Sequence, residues 1–263
     1  LNAGVLLLGD TQRSPHNKLA LECGLADGEM AAAGSERDDE RRYAGWDHEL
    51  KHEKCKAGGV STFLGPGVRS RTAGRKMGTS ATITDKRGWG RYQGKMLLGK
   101  KNNGTQRAIG VIALYAPCPG GLSAQWQRGK LEEAREQVTD PNMKMIKDLR
   151  DEMAVHAHPD TDWILIGDTN CRFQQEEVTA ARKRHREAWL AFMGEFGLKT
   201  AEDPDKPTCY PTTGNPSHID HAMVSTDLTK SDAYKGTHTI NYFAKQGTAE
   251  RMGRTAHAMI AVD

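Results

Sequence analysis

Trp163-Ile164-Leu165-Ile166-Gly167-Asp168-Thr169-Asn170 is the stretch on which the reading of the chain turns. Four consecutive large apolar residues bounded by polar ones describe a short strand buried on both faces. Gly167 then lets the chain leave the sheet, and Asp168 and Asn170 follow. At a spacing of two in extended chain both side chains point the same way. A carboxylate and an amide then stand together at the end of a buried strand, where they can hold a divalent cation and a phosphate. The same residues also make an ordinary Asp/Asn turn after a core strand, and the octapeptide alone allows either reading.

Working outward, an echo lies near the start. Val5-Leu6-Leu7-Leu8 is another short apolar run, and it too ends in glycine and an acid, Gly9-Asp10; such an acid can equally cap a helix. Residues 19–56 are mixed in charge and predict a helix followed by a long surface excursion. Gly59 to Leu64 alternates as a strand and is closed by Gly65-Pro66-Gly67. Two more strands are predicted near Ser80–Thr84 and Gln93–Leu98, with Arg87-Gly88-Trp89-Gly90 between them. Ala108 to Ala116 is a strong buried strand ending in Tyr115-Ala116-Pro117, where a tyrosine ring packs and its hydroxyl stays wet. Met143, Ile146, Leu149 and Met153 recur at helical spacing. So do Ala181, Ala188, Trp189, Phe192 and Phe196, stopped by Gly197.

The last part of the chain carries two short polar clusters inside apolar runs. Ser217-His218-Ile219-Asp220-His221 leads into Ala222-Met223-Val224-Ser225, and an acid such as Asp220 inside a strand is costly unless paired. Thr255-Ala256-His257 opens a terminal strand, Ala258 to Val262. Asp220 and His257 are therefore candidate partners. Strand, helix, strand, helix, with strands of both buried and alternating type, favours an α/β fold of mixed sheets over a purely parallel one. No G-x-G-x-x-G and no P-loop is present, so a nucleotide cofactor has no visible cradle.

Charge and cysteine usage narrow the classes further. The 263 residues carry a net charge of only +3, but between Arg69 and Arg107 eleven basic residues face a single acid, Asp85. Arg69, Arg71, Arg75, Arg87, Arg91 and Lys95, with Trp89 among them, form the footprint expected of a polyanion binder. The run Arg182-Lys183-Arg184-His185-Arg186 lies in a helical pattern and reads as a solvated helix face first. Five scattered cysteines without a C-x-x-C pair fit a reducing compartment rather than a disulfide framework or a structural cysteine zinc site. No run has the apolar length of a membrane span and no signal peptide opens the sequence, so no membrane partner is expected. The chain starts at Leu1 and reads as a piece of a larger polypeptide or assembly.

Taken in order, these segments resemble the endonuclease/exonuclease/phosphatase superfamily, the fold of pancreatic deoxyribonuclease, apurinic endonucleases and the endonuclease domains of non-LTR retrotransposons. Val5 to Asp10 looks like its metal-carboxylate strand, although the family usually has Glu there, and Gly58-Gly59-Val60 like its second strand. Tyr115-Ala116-Pro117 matches a tyrosine-x-proline motif, Gly167-Asp168-Thr169-Asn170 matches G-D-x-N, and Ser217-His218-Ile219-Asp220-His221 matches S-x-I-D-[YH]. Thr255-Ala256-His257 stands where the family has S-D-H. The apurinic and retrotransposon nucleases look nearest, and the tryptophan-cysteine-aspartate-arginine motif of the inositol polyphosphate phosphatases is absent.

The resemblance implies a single domain over 1–263, a four-layer α/β sandwich of two mixed sheets flanked by helices, apparently without the family's first strand. It implies an intracellular, nuclear enzyme that uses Mg²⁺ or Mn²⁺ to hydrolyse nucleic-acid phosphodiesters, with DNA as partner and retroelement-type nicking as the activity. Asp10 and Asp168 would hold the metal, and Asp168 would position or deprotonate water. Asn170 and Tyr115 would contact the scissile phosphate, and His257, oriented by Asp220, would act on it. Arg69, Arg71, Arg75, Arg87, Trp89, Arg91 and Lys95 would bind the nucleic acid. Ala256 in place of the family's Asp removes an acid beside the metal. It keeps open a weakened or inactive domain that serves nucleic-acid binding or assembly. A phosphomonoesterase of inositol phosphates or lipids is the third alternative.

Overall fold

The computed structural model describes residues 5–8, 31–32, 60–64, 82–100, 106–157, 160–174, 179–211, 215–232, 234–240, 256–257 and 259–262. The chain divides into two compact units, Leu1–Ile164 and Leu165–Asp263.

In the first unit β1 (Val5–Leu8), β2 (Ala31–Ala32) and β3 (Ser61–Leu64) form an antiparallel sheet in the order β1-β3-β2. Val5 and Ala31 both register with Leu64. The helix expected within 19–56 lies outside the described residues, apart from the two residues of β2. A second sheet runs β4 (Thr82–Thr84), β5 (Tyr92–Lys100), β6 (Gln106–Tyr115) and then β7 (Thr161–Asp168). β5 and β6 are antiparallel from Tyr92 opposite Leu114 to Lys100 opposite Gln106. β3 lies against β5 and β6, and β1 against β6. Ala108 to Tyr115 is buried apart from the half-buried Ile109, which is why this strand reads as a nearly unbroken apolar run. Gly110 is required where it stands, because a Cβ there would collide with the Trp163 ring of β7.

Two helices follow β6. α1 (Leu122–Glu133) packs on α2 (Pro141–His156), and α2 on β4. α2 starts where sequence chemistry says it should. The Asp140 carboxylate accepts the Asn142 and Met143 N–H groups at 3.0 and 3.2 Å, and Pro141 takes the first helical position. Met145, Ile146, Leu149 and Met153 face the core, each worth about 1.5–3 kcal/mol by burial. α1 was not legible in the sequence. Its buried positions are Ala124, Gln127 and Leu131, and Gly121 at its N-cap supplies no side-chain cap.

The second unit begins inside β7. It continues with α3 (Ala180–Glu195), β8 (Leu198–Thr200), β9 (Cys209–Tyr210), β10 (Asp220–Ser225), α4 (Thr226–Thr229), β11 (Thr237–Ile240), β12 (Ala256–His257) and β13 (Met259–Val262). The order of its larger sheet is β7-β10-β8, with β10 antiparallel to β8. β11 pairs with β13, β12 pairs with β9, and β13 also contacts β10. α3 is capped by the Thr179 hydroxyl, which accepts the Arg182 N–H at 3.3 Å, and ends at Gly197, whose φ of +61° suits glycine. It buries His185, Trp189, Phe192 and Met193 and leaves Arg182, Lys183 and Arg184 in solvent. Among the described residues no helix is long and apolar enough to cross a membrane.

Candidate active site

Strand pairing brings together residues that are distant in sequence. Asp168 is the last residue of β7 and Asp220 the first of β10, neighbouring strands of one sheet. The junction is tied where the Thr169 N–H and hydroxyl both donate to the Ile219 carbonyl, at 3.0 and 3.1 Å. His257 arrives by another route. Cys209 of β9 registers with His257 on one side and bridges Ser217 on the other. The fully buried Thr208 hydroxyl then accepts the Ile219 and Asp220 N–H groups at 3.2 and 3.0 Å. The result places His257 Nδ1 at 3.0 Å from both carboxylate oxygens of Asp220, across 37 residues of sequence. Ligand-capable atoms of Asp168, Asp220 and His257 all lie within 4.8 Å of one another.

The loop after β7 departs from the extended spacing expected of it. β7 continues through Gly167, whose φ of +154° is open to glycine, and Asn170 adopts φ +50°, a left-handed conformation that asparagine tolerates. This folds Asn170 back onto Asp168, its N–H donating to Oδ1 at 2.7 Å and its Nδ2 to Oδ2 at 3.0 Å. Carboxylate and amide are thus neighbours through a turn, and each fixes the other's orientation.

His257 keeps about a third of its side chain exposed while Asp220 is nearly buried. With Nδ1 committed to the carboxylate, any proton exchanged with a substrate passes through Nε2. Tyr115 ends β6 in the first unit. It is 7% exposed and packs with Val60 and Ala113. Asp10, Arg69, Arg71 and Arg75 lie outside the described residues. Ala256 registers with Tyr210 in the short β12–β9 pair, directly before His257.

The described part of the basic stripe corrects the sequence expectation. Arg91, expected to meet a phosphate, is 1% exposed. Its Nε and Nη2 grip Asp85 at 2.8 and 2.7 Å, and Nη2 also reaches Asp148 of α2 at 2.9 Å. Burial opposes the guanidinium charge, but Asp85 outweighs it and raises the Arg91 pKa. Arg87 is tied to Asp148 at 2.8 Å and Glu136 at 2.6 Å. Trp89 lies beneath both guanidinium groups and meets Trp126 of α1 edge to face at 5.7 Å. Lys95 is buried and donates to the Thr82 hydroxyl at 2.5 Å. Arg87 and Arg91 are thus answered by Asp85, by Asp148 of α2 and by Glu136 in the turn before it, and the last two partners lie outside any local window of sequence.

Sequence reasoning also missed a second cluster in the second unit. Glu202, His218 and His221 bring ligand-capable atoms within 4.8 Å of one another. His218 and His221 were visible only as flanks of Asp220, and Glu202 only as one acid in a polar turn. Burial opposes charge on Glu202, but hydrogen bonds from His221 and the backbone hold its carboxyl below its ordinary value. Burial, and then His221, push His218 down.

No protein-family model matches the chain, and no curated protein matches it in sequence. Solved structures do match, and they show the fold. The fold is that of the deoxyribonuclease I-like endonuclease/exonuclease/phosphatase proteins. An AP endonuclease from Archaeoglobus fulgidus aligns over 99% of this chain and 88% of its own, with TM-score 0.57 at 10% identity. The 3′ phosphatase NExo from Neisseria, solved with a product DNA hairpin, aligns over 99% and 88%, with TM-score 0.54 at 12% identity. The catalytic domain of APE2 from Xenopus laevis aligns over 100% and 84%, with TM-score 0.53 at 12% identity. At such identities the likeness is one of fold.

Proposed function

We propose that this chain hydrolyses nucleic-acid phosphodiesters, with DNA as substrate, as a divalent-metal-dependent nicking endonuclease of the retroelement type. The observation that carries the reading is the convergence of Asp168, Asp220 and His257 on one small volume, with Asn170 bonded to Asp168. Two carboxylates and an imidazole in this arrangement suit phosphoryl chemistry, because charge builds on the phosphoryl and leaving oxygens in the transition state. The neighbour solved with a product DNA hairpin supports a nucleic-acid substrate for this fold.

The residues fit a hard cation in chemistry, since Asp168 and Asp220 offer the carboxylate oxygens that Mg²⁺ or Mn²⁺ takes while keeping several waters. Asp168 would hold it. The cation supplies charge stabilisation to the phosphate oxygens when bound. The chain's own groups do the rest. Asp168 accepts the proton of the attacking water, oriented by the two N–H donors of Asn170. His257 Nε2 exchanges a proton with a phosphate or leaving oxygen, and Asp220 fixes the tautomer that allows it.

Nicking of supercoiled plasmid with and without Mg²⁺ tests the reading. Asp168→Asn and His257→Ala should each lower the rate by roughly 10²–10⁴ while DNA binding persists. Nicking at the wild-type rate by both variants would overturn it. Ala256 favours a second reading, a site of the same layout that binds nucleic acid and cleaves poorly. In that case Ala256→Asp raises Mg²⁺-dependent nicking by about tenfold for each 1.4 kcal/mol regained in the transition state.

A further inference from the structure

We propose that Glu202, His218 and His221 form a second metal site, for Zn²⁺ or a similar borderline cation, made of different side chains from the Asp168–Asp220–His257 cluster. His221 is fully buried. Its Nε2 donates to the Cys171 carbonyl at 2.8 Å and its Nδ1 lies 2.6 Å from Glu202 Oε1. A histidine anchored through one nitrogen to a backbone carbonyl, with the other turned to a shared centre, is the arrangement that metal-binding histidines adopt. Glu202 is prepared in the same way. Its Oε2 accepts the Ala222 and Ala201 N–H groups at 2.8 and 3.2 Å, leaving Oε1 aimed at the two rings.

His218 supplies the observation that an ion pair alone leaves unexplained. Its Nε2 is buried, lies 3.9 Å from Glu202 Oε1, and has no hydrogen-bond partner. A buried nitrogen left without a partner is costly, and a cation among the three donors removes that cost. Two imidazoles and one carboxylate select Zn²⁺ over Mg²⁺, which demands oxygen ligands in near-octahedral geometry. Three protein donors leave the fourth position of a tetrahedral centre to water. Without metal, Nδ1 and Oε1 share a hydrogen bond at 2.6 Å. The cation replaces the proton between Nδ1 and Oε1, and that proton passes to solvent. The site joins the turn after β8, the segment before β10, β10 itself and, through Cys171, the loop that carries Asp168 and Asn170. Its role is to hold that loop in place. The inference stands on these residues whether or not the chain cleaves nucleic acid.

The test uses the full chain, purified without a histidine tag and stripped with chelator. Zn²⁺ is titrated in competition with a chromogenic chelator, and unfolding temperature is recorded with Zn²⁺ or Mg²⁺. One Zn²⁺ per chain should bind and raise the unfolding temperature, while Mg²⁺ at the same concentration does not reproduce the shift. His218→Ala, which breaks no hydrogen bond described here, should fold and bind Zn²⁺ roughly 100-fold more weakly or worse. Glu202→Gln, which preserves shape, should weaken it as well. The double variant Asp168→Asn with His257→Ala should hold Zn²⁺ as the wild type does. Equal Zn²⁺ affinity in wild type and His218→Ala, or loss of Zn²⁺ in the Asp168/His257 double variant, would overturn the proposal.

Discussion

Replacing Arg91 by methionine separates a structural cation from a nucleic-acid contact. The side chain is 1% exposed and its guanidinium makes three charge-assisted hydrogen bonds, two to Asp85 and one to Asp148, at 2.7–2.9 Å. Methionine keeps much of the volume and removes all three. Asp148 retains Arg87 at 2.8 Å and Lys144 at 3.2 Å, so it stays compensated. Asp85 does not. It is 4% exposed and keeps only the backbone N–H groups of Arg87 and Arg91, at 3.1 and 3.2 Å. Breaking a buried pair while leaving one charge behind costs about 3–5 kcal/mol. For a chain of this length that lowers the unfolding temperature by roughly 5–10 °C. Adding Asp85→Asn to Arg91→Met should recover part of the loss, and the double-mutant cycle should return a coupling of about 2 kcal/mol or more. Thermal and urea unfolding read the stability. Duplex binding at several salt concentrations reads the phosphate contacts, and its salt slope should match wild type within error. A loss of stability below about 1 kcal/mol, with a salt slope reduced by about one phosphate, would refute the reasoning and return Arg91 to the nucleic-acid surface.

Asp220→Asn should preserve the contact with His257 Nδ1 but allow the wrong tautomer, lowering kcat of plasmid nicking by about 10² or more with little change in KM; an unaltered kcat and pH profile would deny Asp220 its positioning role. Acid stability should follow Asp148. Burial opposes its charge, but Arg91 and then Arg87 outweigh burial and hold the carboxyl below its ordinary value. The folded pKa is thus lower than the unfolded one. Its contribution is complete above the unfolded value of about 3.9 and is lost as pH falls through the folded value. Asp148→Asn should therefore flatten the decline in unfolding free energy below about pH 4, and an unchanged acid limb would contradict the assignment.

Periodicity made β6, β7, α2 and α3 legible, because burial on both faces of a strand and on one stripe of a helix is written in neighbouring residues. Capping by Asp140 and the stop at Gly197 are local for the same reason. Asp168, Asn170, Asp220 and His257 were also readable as candidates, because each polar group interrupts an apolar run or stands at its mouth. α1 escaped notice because alanine and glutamine carry most of its buried face, a weak signal at any period. What only the tertiary structure decided is the fate of charge. The Asp220–His257 contact, a candidate pairing in the sequence, is made by β9 standing between β12 and Ser217. Arg91 and Lys95 look like surface cations until Asp85, Asp148 of α2 and the Thr82 hydroxyl of β4 meet them, and Asn170 looks extended until its own side chain turns it back. Secondary structure answers to periods of 2 and 3.6 residues, whereas a charged group's environment is set by whichever elements pack against it. Sequence order therefore determined the elements and their candidate residues, and packing alone determined which of those charges meet.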